Sequence, residues 1–298
     1  MKKGITKILS ACVFAFVVFL AAGTQSKAAV NMGVKQTGAG SSYVDLAWNA
    51  QLGAGHYHTQ FSQDGKNWID MEYSSSPSDS VYNLTQGASY YARVVAYNGS
   101  HYSGTHVMVG VSETAIVSTK PTEVTGLTQT AAGVNSVSMS WNASAGAASY
   151  VIYGYINYNW TQIGTSATNS ATITGVAATT STKFSVAAVK NVTGGTVTGD
   201  QCSGVEMKAI PIKVSRIAMQ YYWDSLKEAK YIWTDVNNAD GYQYEVKSAN
   251  GKKTYFRATS TSSYTYVKPF PRGIFVKARV RAYVTVGNKV YYGAWSPY

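Results

Sequence analysis

Trp48, Trp141 and Trp233 stand 93 and 92 residues apart, and each is followed nine residues later by a tyrosine: Tyr57, Tyr150 and Tyr242. Such a period is too long for a solenoid, whose units run to about 20–50 residues, and matches whole domains. A second block recurs further along each unit: Ala92-Arg93-Val94-Val95-Ala96-Tyr97, Ser185-Val186-Ala187-Ala188-Val189-Lys190 and Ala278-Arg279-Val280-Arg281-Ala282-Tyr283. A chain built this way has to close three similar cores in series. The local pattern sets their class: YVDLAW, SVSMSW and KYIW alternate apolar and polar residues into the tryptophan, and no stretch beyond residue 28 holds a long 3.6-residue period. Asp64-Gly65 and Asn250-Gly251, 16 and 17 residues past the tryptophan, read as two-residue hairpin turns. About ninety residues of short alternating strands around a buried tryptophan predict an all-β fold of antiparallel two-sheet sandwiches.

The first 28 residues read differently. Three lysines precede an apolar run of about fifteen residues, and Ser26 and Ala28 supply small residues near its end, the layout of a secretory signal peptide cleaved after Ala28. Cys12 precedes the bulk of that apolar run, so lipid anchoring at this cysteine is not expected. No other segment reaches the eighteen or so apolar residues of a membrane span, and Ala294-Trp295-Ser296-Pro297-Tyr298 carries no sorting motif. The expectation is an exported protein, secreted or held to a cell surface by binding. Removal of the signal leaves Cys202 alone, and one cysteine forms no internal bridge. A packed small hydrophobe is expected there, in the slot before Ser203-Gly204 that Tyr102 fills before Ser103-Gly104.

These residues resemble the fibronectin type III family across nearly all of the chain beyond residue 28. In that family the second strand ends in a core tryptophan, as at Trp48, Trp141 and Trp233, and the third begins with an inward tyrosine, as at Tyr57, Tyr150 and Tyr242. Gln63 to Trp68 is similar to the family's hairpin after the third strand. Leu84-Thr85-Gln86-Gly87-Ala88-Ser89-Tyr90 is similar to its leucine, glycine and tyrosine-corner sequence, and Tyr291 to Ser296 resembles the start of its last strand. The resemblance implies three tandem fibronectin type III-like domains: 29–119, 120–210 and 211–298, with junctions at Pro121 and Pro211 too short and glycine-free to be flexible tethers. Only the first keeps a tyrosine in the corner slot, at Tyr90; the second and third have Thr182 and Val276. The third stops soon after Gly293, so its last strand is expected to be short, with a free sheet edge.

Catalysis finds no support. The chain has no Gly-x-Ser-x-Gly elbow, no His-Glu-x-x-His helix and no glycine-rich phosphate loop between strand and helix, so neither catalytic residues nor cofactors are assigned. All four histidines, His56, His58, His101 and His106, fall in the first domain, and the fibronectin-like topology brings them to one end of it, with His56 and His58 on one outward face. Neutral imidazoles grouped in this way can bind zinc, nickel or copper; no ligand-spacing motif connects them, so solvated side chains are the leading expectation and no metal centre is assigned.

Charge singles out the third domain. Residues 29–119 carry 3 basic and 6 acidic side chains, residues 120–210 carry 4 and 3, and residues 211–298 carry 14 and 5, so this last domain holds most of the chain's net +11. It is also dense in tyrosine and tryptophan, among them Tyr221, Trp223, Tyr264, Tyr266, Tyr292 and Trp295. Within VKARVRAY the alternation puts Val276, Ala278, Val280 and Ala282 on the core face and Lys277, Arg279, Arg281 and Tyr283 outward, where Glu245 of the neighbouring strand can pair with one arginine. Those four outward residues are the candidate ligand site. An exported basic and aromatic face suits an extracellular protein, a glycan or an anionic wall polymer, with nucleic acid the poorest partner. The leading function is non-enzymatic binding or adhesion; the alternatives are a structural spacer and an accessory carbohydrate-binding protein of a polysaccharide-degrading system.

Overall fold

The computed structural model describes residues 29–103, 106–270 and 273–298; the expected signal peptide lies outside the described residues. The first sandwich packs the sheet β1 (Lys35–Ala39), β2 (Val44–Ala47), β5 (Ser78–Val81) against the sheet β4 (Ile69–Ser74), β3 (His56–Ser62), β6 (Ser89–Tyr97), β7 (Met108–Val111), with β8 (Ala115–Ser118) also on β6. The second repeats it: β9 (Thr128–Gly133), β10 (Ser136–Ser140) and β13 (Ser170–Thr174) face β12 (Asn159–Ser166), β11 (Ser149–Ile156), β14 (Thr182–Val192) and β15 (Gly195–Thr198), with β16 (Val205–Met207) on β14. In the third, β17 (Ile217–Trp223), β18 (Glu228–Trp233) and β21 (Tyr264–Val267) face β20 (Thr254–Ser260), β19 (Gly241–Ser248), β22 (Val276–Val286) and β23 (Lys289–Tyr292). All ladders in these sheets are antiparallel, and no helix among the described residues is long and apolar enough to cross a membrane.

The repeat seen in sequence is a repeated contact. Trp48 meets Tyr57, Trp141 meets Tyr150 and Trp233 meets Tyr242 edge to face, at ring centroids of 5.4, 5.3 and 5.4 Å. Each pair is worth about 0.5–1.5 kcal/mol beyond the area it buries. The same tyrosine hydroxyl accepts the backbone N–H three residues past the tryptophan, from Gln51, Ser144 and Val236. One residue thus fills the core and fixes the chain between the second and third strands. The register agrees across the three units: Tyr57 lies opposite Ala96, Tyr150 opposite Ala188 and Tyr242 opposite Ala282. Around these pairs close three separate apolar cores, running from Met32 to Val117, Val124 to Ala209 and Val214 to Ala282.

Three local expectations are refined. Tyr90 makes the expected corner by accepting the Thr85 N–H at 3.0 Å. The Asp-Gly and Asn-Gly pairs are turn residues inside longer loops, not two-residue hairpins, because β4 starts at Ile69 and β20 at Thr254. Gly65 and Gly251 adopt φ of 71° and 75°, which favours glycine there. Asp64 organises its loop by accepting the N–H groups of Asn67 and Lys66, which hold its carboxyl well below the usual range. Finally, the slot of Cys202 is shared with Ser112 and Ser296, not Tyr102: their side chains accept the backbone N–H of Val186, Val94 and Val280 respectively, and each donates its own N–H back to that residue's carbonyl. A loop of different length after the sixth strand displaced the match made on Ser-Gly pairs.

The first and second sandwiches touch through several polar contacts. Lys120, at the junction, donates its N–H to the Gly40 carbonyl and accepts the Gly87 N–H while its ammonium pairs with Asp200 at 2.8 Å; the Lys190 ammonium donates to the Gly87 carbonyl, and Thr193 exchanges two hydrogen bonds with Ile116. Between the second and third, Lys208 pairs with Asp240 at 2.6 Å.

Candidate functional site

The outward face of β22 carries Lys277, Arg279, Arg281 and Tyr283, opposite Lys247, Glu245, Gln243 and Gly241 of β19. Every one of the four is engaged within the domain. Arg281 donates through Nε and Nη2 to Gln243 Oε1 at 3.0 and 2.7 Å. Its guanidinium lies 3.9 Å from the centre of the Tyr292 ring and 4.5 Å from Trp295. Arg279 lies between Trp295 at 4.5 Å and Tyr298 at 5.0 Å, and Lys277 sits 4.1 Å over Tyr298. Ring and cation therefore alternate from Tyr292 to Lys277. Tyr283 packs against Tyr292 and covers Gly241, where a Cβ would come within 2.6 Å of the Tyr283 hydroxyl.

Glu245 anchors this stack. Its side chain is fully buried and accepts from Arg279, from Arg257 of β20 at 2.7 Å and from Lys247 at 3.3 Å. Burial alone would push its carboxyl up, but hydrogen bonds from Arg257, Arg279 and Lys247 outweigh it and leave the group below its ordinary value. Pairing with one arginine was expected; β20 contributes a second. The strip visible in sequence is thus a set of cations already engaged: Arg279 by Glu245, Arg281 by the Gln243 amide, and all three by aromatic rings.

The opposite sheet presents rings without such cover. On its outward face Tyr221, Lys230 and Tyr266 form one row across β17, β18 and β21, Ile232 and Tyr264 a second, and Trp223 and Glu228 a third. Trp223, Tyr264 and Tyr266 are 42%, 44% and 47% exposed and adjoin one another, and contiguous exposed apolar surface marks interaction sites where scattered single residues do not. Tyr221 packs against Trp223 with centroids 4.0 Å apart and planes tilted by 53°, and Tyr264 meets Tyr266 edge to face at 6.0 Å. Lys230 stands between them, 5.1 to 5.7 Å from the rings of Tyr221, Tyr264 and Tyr266. Burial and a hydrogen bond to Tyr266 push the Tyr221 hydroxyl up to about 12, so it stays a neutral donor. These rings were legible as composition, but only the strand register gathers them on one face.

The histidines do not behave as four solvated side chains. His56 is 2% exposed, and all four rings lie within 6.4 Å of one another centroid to centroid. Gly55 makes this possible: a Cβ there would lie 2.0 Å from the Gly99 carbonyl, so the absence of a side chain lets the loop after β6 close over β3. Burial and the neighbouring imidazoles hold the His58 ring below its ordinary value against the pull of Asp70.

No family model matches the chain. It is 33% identical over 162 residues to chitinase A1 of Niallia circulans, a stretch that covers 52% of this chain and 22% of the chitinase. Among solved structures, it is similar to the FN1–FN3 domains of chicken CNTN1, at 15% identity and TM-score 0.35 over 89% of this chain and 95% of that one. It is also similar to a two-domain fibronectin type III segment of chicken tenascin, at 15% identity and TM-score 0.30 over 59% and 97%. The chain spans about a fifth of the length of the chitinase it matches.

Proposed function

We propose that this chain of three fibronectin type III-like sandwiches is an exported, non-enzymatic binding protein whose ligand is a glycan, held on the aromatic face of its third domain. The observation that carries this is the cluster of Tyr221, Trp223, Tyr264 and Tyr266 rings around Lys230, on a sheet face that nothing in the chain covers among the described residues. Rings with one open side offer flat apolar area at little entropic cost, and the C–H faces of pyranose rings match it. Lys230 and the neutral tyrosine hydroxyls supply hydrogen bonds to sugar oxygens. The likeness to a chitinase supports a polysaccharide as the first ligand to try. The Lys277, Arg279 and Arg281 face is a second candidate; it is weaker, because its cations are already bound to Glu245, Gln243 and aromatic rings.

The test is retention of the chain lacking residues 1–28 on insoluble chitin, cellulose and cell wall at low and high salt. Retention that survives high salt, and is lost in Tyr264→Ala/Tyr266→Ala but kept in Lys277→Ser/Arg279→Ser/Arg281→Ser, is the expected result. Salt-sensitive retention lost only in the serine variant would move the site to the basic face. No retention on any material would favour a spacer.

A further inference from the structure

We infer that His56, His58 and His101 form a binding site for a divalent transition-metal ion, of which Zn2+ is the simplest case, at the end of the first domain. This site is independent of the aromatic face in the third. One ligand atom from each of the three lies within 4.8 Å of the others. His58 Nε2 and His101 Nδ1 share a hydrogen bond of 3.2 Å, whose proton a metal ion would displace. Two nitrogens bound to one tetrahedral zinc at ~2.0–2.1 Å stand about 3.3 Å apart, so this pair already has the spacing of adjacent ligands.

His56 supplies the observation that chance clustering does not explain. Its Nδ1 contacts the Gly99 carbonyl at 3.1 Å, and a carbonyl only accepts, so Nδ1 carries the proton. Its Nε2 is then a lone pair, buried, with no hydrogen-bond partner among the described residues. Leaving such an acceptor unsatisfied is destabilising, and a metal ion would satisfy it. An imidazole that donates one N–H to a carbonyl and turns the other nitrogen on a metal is the usual arrangement of a histidine ligand. His106 lies against His56 with centroids 5.1 Å apart, and its buried Nδ1 is likewise without a partner.

Aromatic packing fixes the ring planes. Tyr97 stacks on His56 at 5.3 Å with planes 14° apart, and Tyr73 stacks on His101 at 4.0 Å with planes 7° apart. The donor set is nitrogen alone, which suits Zn2+, Ni2+ or Cu2+ and not the oxygen-seeking Ca2+ or Mg2+. All four of the chain's histidines are gathered at this one place.

Isothermal titration calorimetry of the tag-free chain lacking residues 1–28, with Zn2+ alone and Ca2+ as control, tests the site. One Zn2+ per chain and no heat with Ca2+ is expected, with affinity reduced in His58→Ala and in His101→Ala by at least the about 10–100-fold that loss of an outer-shell partner costs. His101 belongs to a short 3-10 turn, so that variant leaves β3 intact. A readout free of mutation is the imidazole nitrogen NMR spectrum: Zn2+ should shift the signals of His56, His58 and His101. Absence of heat, binding retained in a His58→Ala/His101→Ala double variant, or unshifted imidazole signals would each overturn the assignment.

Discussion

The sulfur of Cys202 accepts the backbone N–H of Val186 at 3.3 Å, and Cys202 returns its own N–H to the Val186 carbonyl at 3.0 Å. Ser112 and Ser296 do the same with Val94 and Val280 through oxygen. The cysteine is therefore a substitute acceptor in a buried backbone position. Cys202→Ser should change stability by less than about 1 kcal/mol, whereas Cys202→Val leaves the Val186 N–H unsatisfied and should cost about 1–3 kcal/mol. Urea unfolding of the two variants checks this; equal stability would mean that packing alone decides the position.

Removing one hydroxyl from the repeated tyrosine isolates its backbone bond from its packing. Tyr57→Phe, Tyr150→Phe and Tyr242→Phe keep the edge-to-face contact with the tryptophan but orphan the N–H of Gln51, Ser144 and Val236. Each should lower the stability of its own domain by about 1–2 kcal/mol. Tyr242→Phe should cost most, since that hydroxyl also donates to Asp235. Calorimetric scans that resolve the domain transitions would show which one moves.

Glu245 makes the third domain acid-sensitive in a defined direction. Its carboxyl lies below the ordinary value of 4.5 in the folded state, so the stabilisation is complete above that value and is lost as pH falls through the lower folded one. Glu245→Gln should remove this component of the acid dependence and cost about 3 kcal/mol at neutral pH, because it leaves Arg279, Arg257 and Lys247 without their shared partner. Denaturation midpoints from pH 7 to pH 3 for both proteins check the sign; parallel curves would refute it.

Lys190 is 4% exposed yet donates its ammonium to the Gly87 carbonyl of the preceding domain. Lys190→Met keeps the apolar stem and deletes that bond, with Lys120–Asp200 and the Thr193 contacts left in place. The variant should widen the distribution of distances between spin labels placed on the first and second domains, with the fold of each unchanged. An unaltered distribution would mean that the remaining contacts set the junction.

The sheet faces were readable because a strand has period two: with Trp48 and Tyr57 inward, the orientation of β3 and β6 follows residue by residue. The same rule placed Lys277, Arg279 and Arg281 outward. It could not say that β20 would bring Arg257 to Glu245, or that Trp295 and Tyr298 would slot between the cations, because those contacts join segments with no pattern in common. Cys202 was matched to Tyr102 on a dipeptide, and the hydrogen bonds to Val186 moved it to Ser112, since loop length varies where backbone pairing does not.

By itself the sequence determined three all-β units, the strand faces within them and the residues that pack each core, because alternation and the tryptophan-to-tyrosine interval act through neighbours on the same strands. Tertiary structure alone decided which charges are free and which are spent. It set Glu245 under three cations, gathered Tyr221, Trp223, Tyr264 and Tyr266 on an open face, and buried His56 beside His58 and His101. Burial and approach distance govern each of these outcomes, and both arise only when segments far apart in the chain meet.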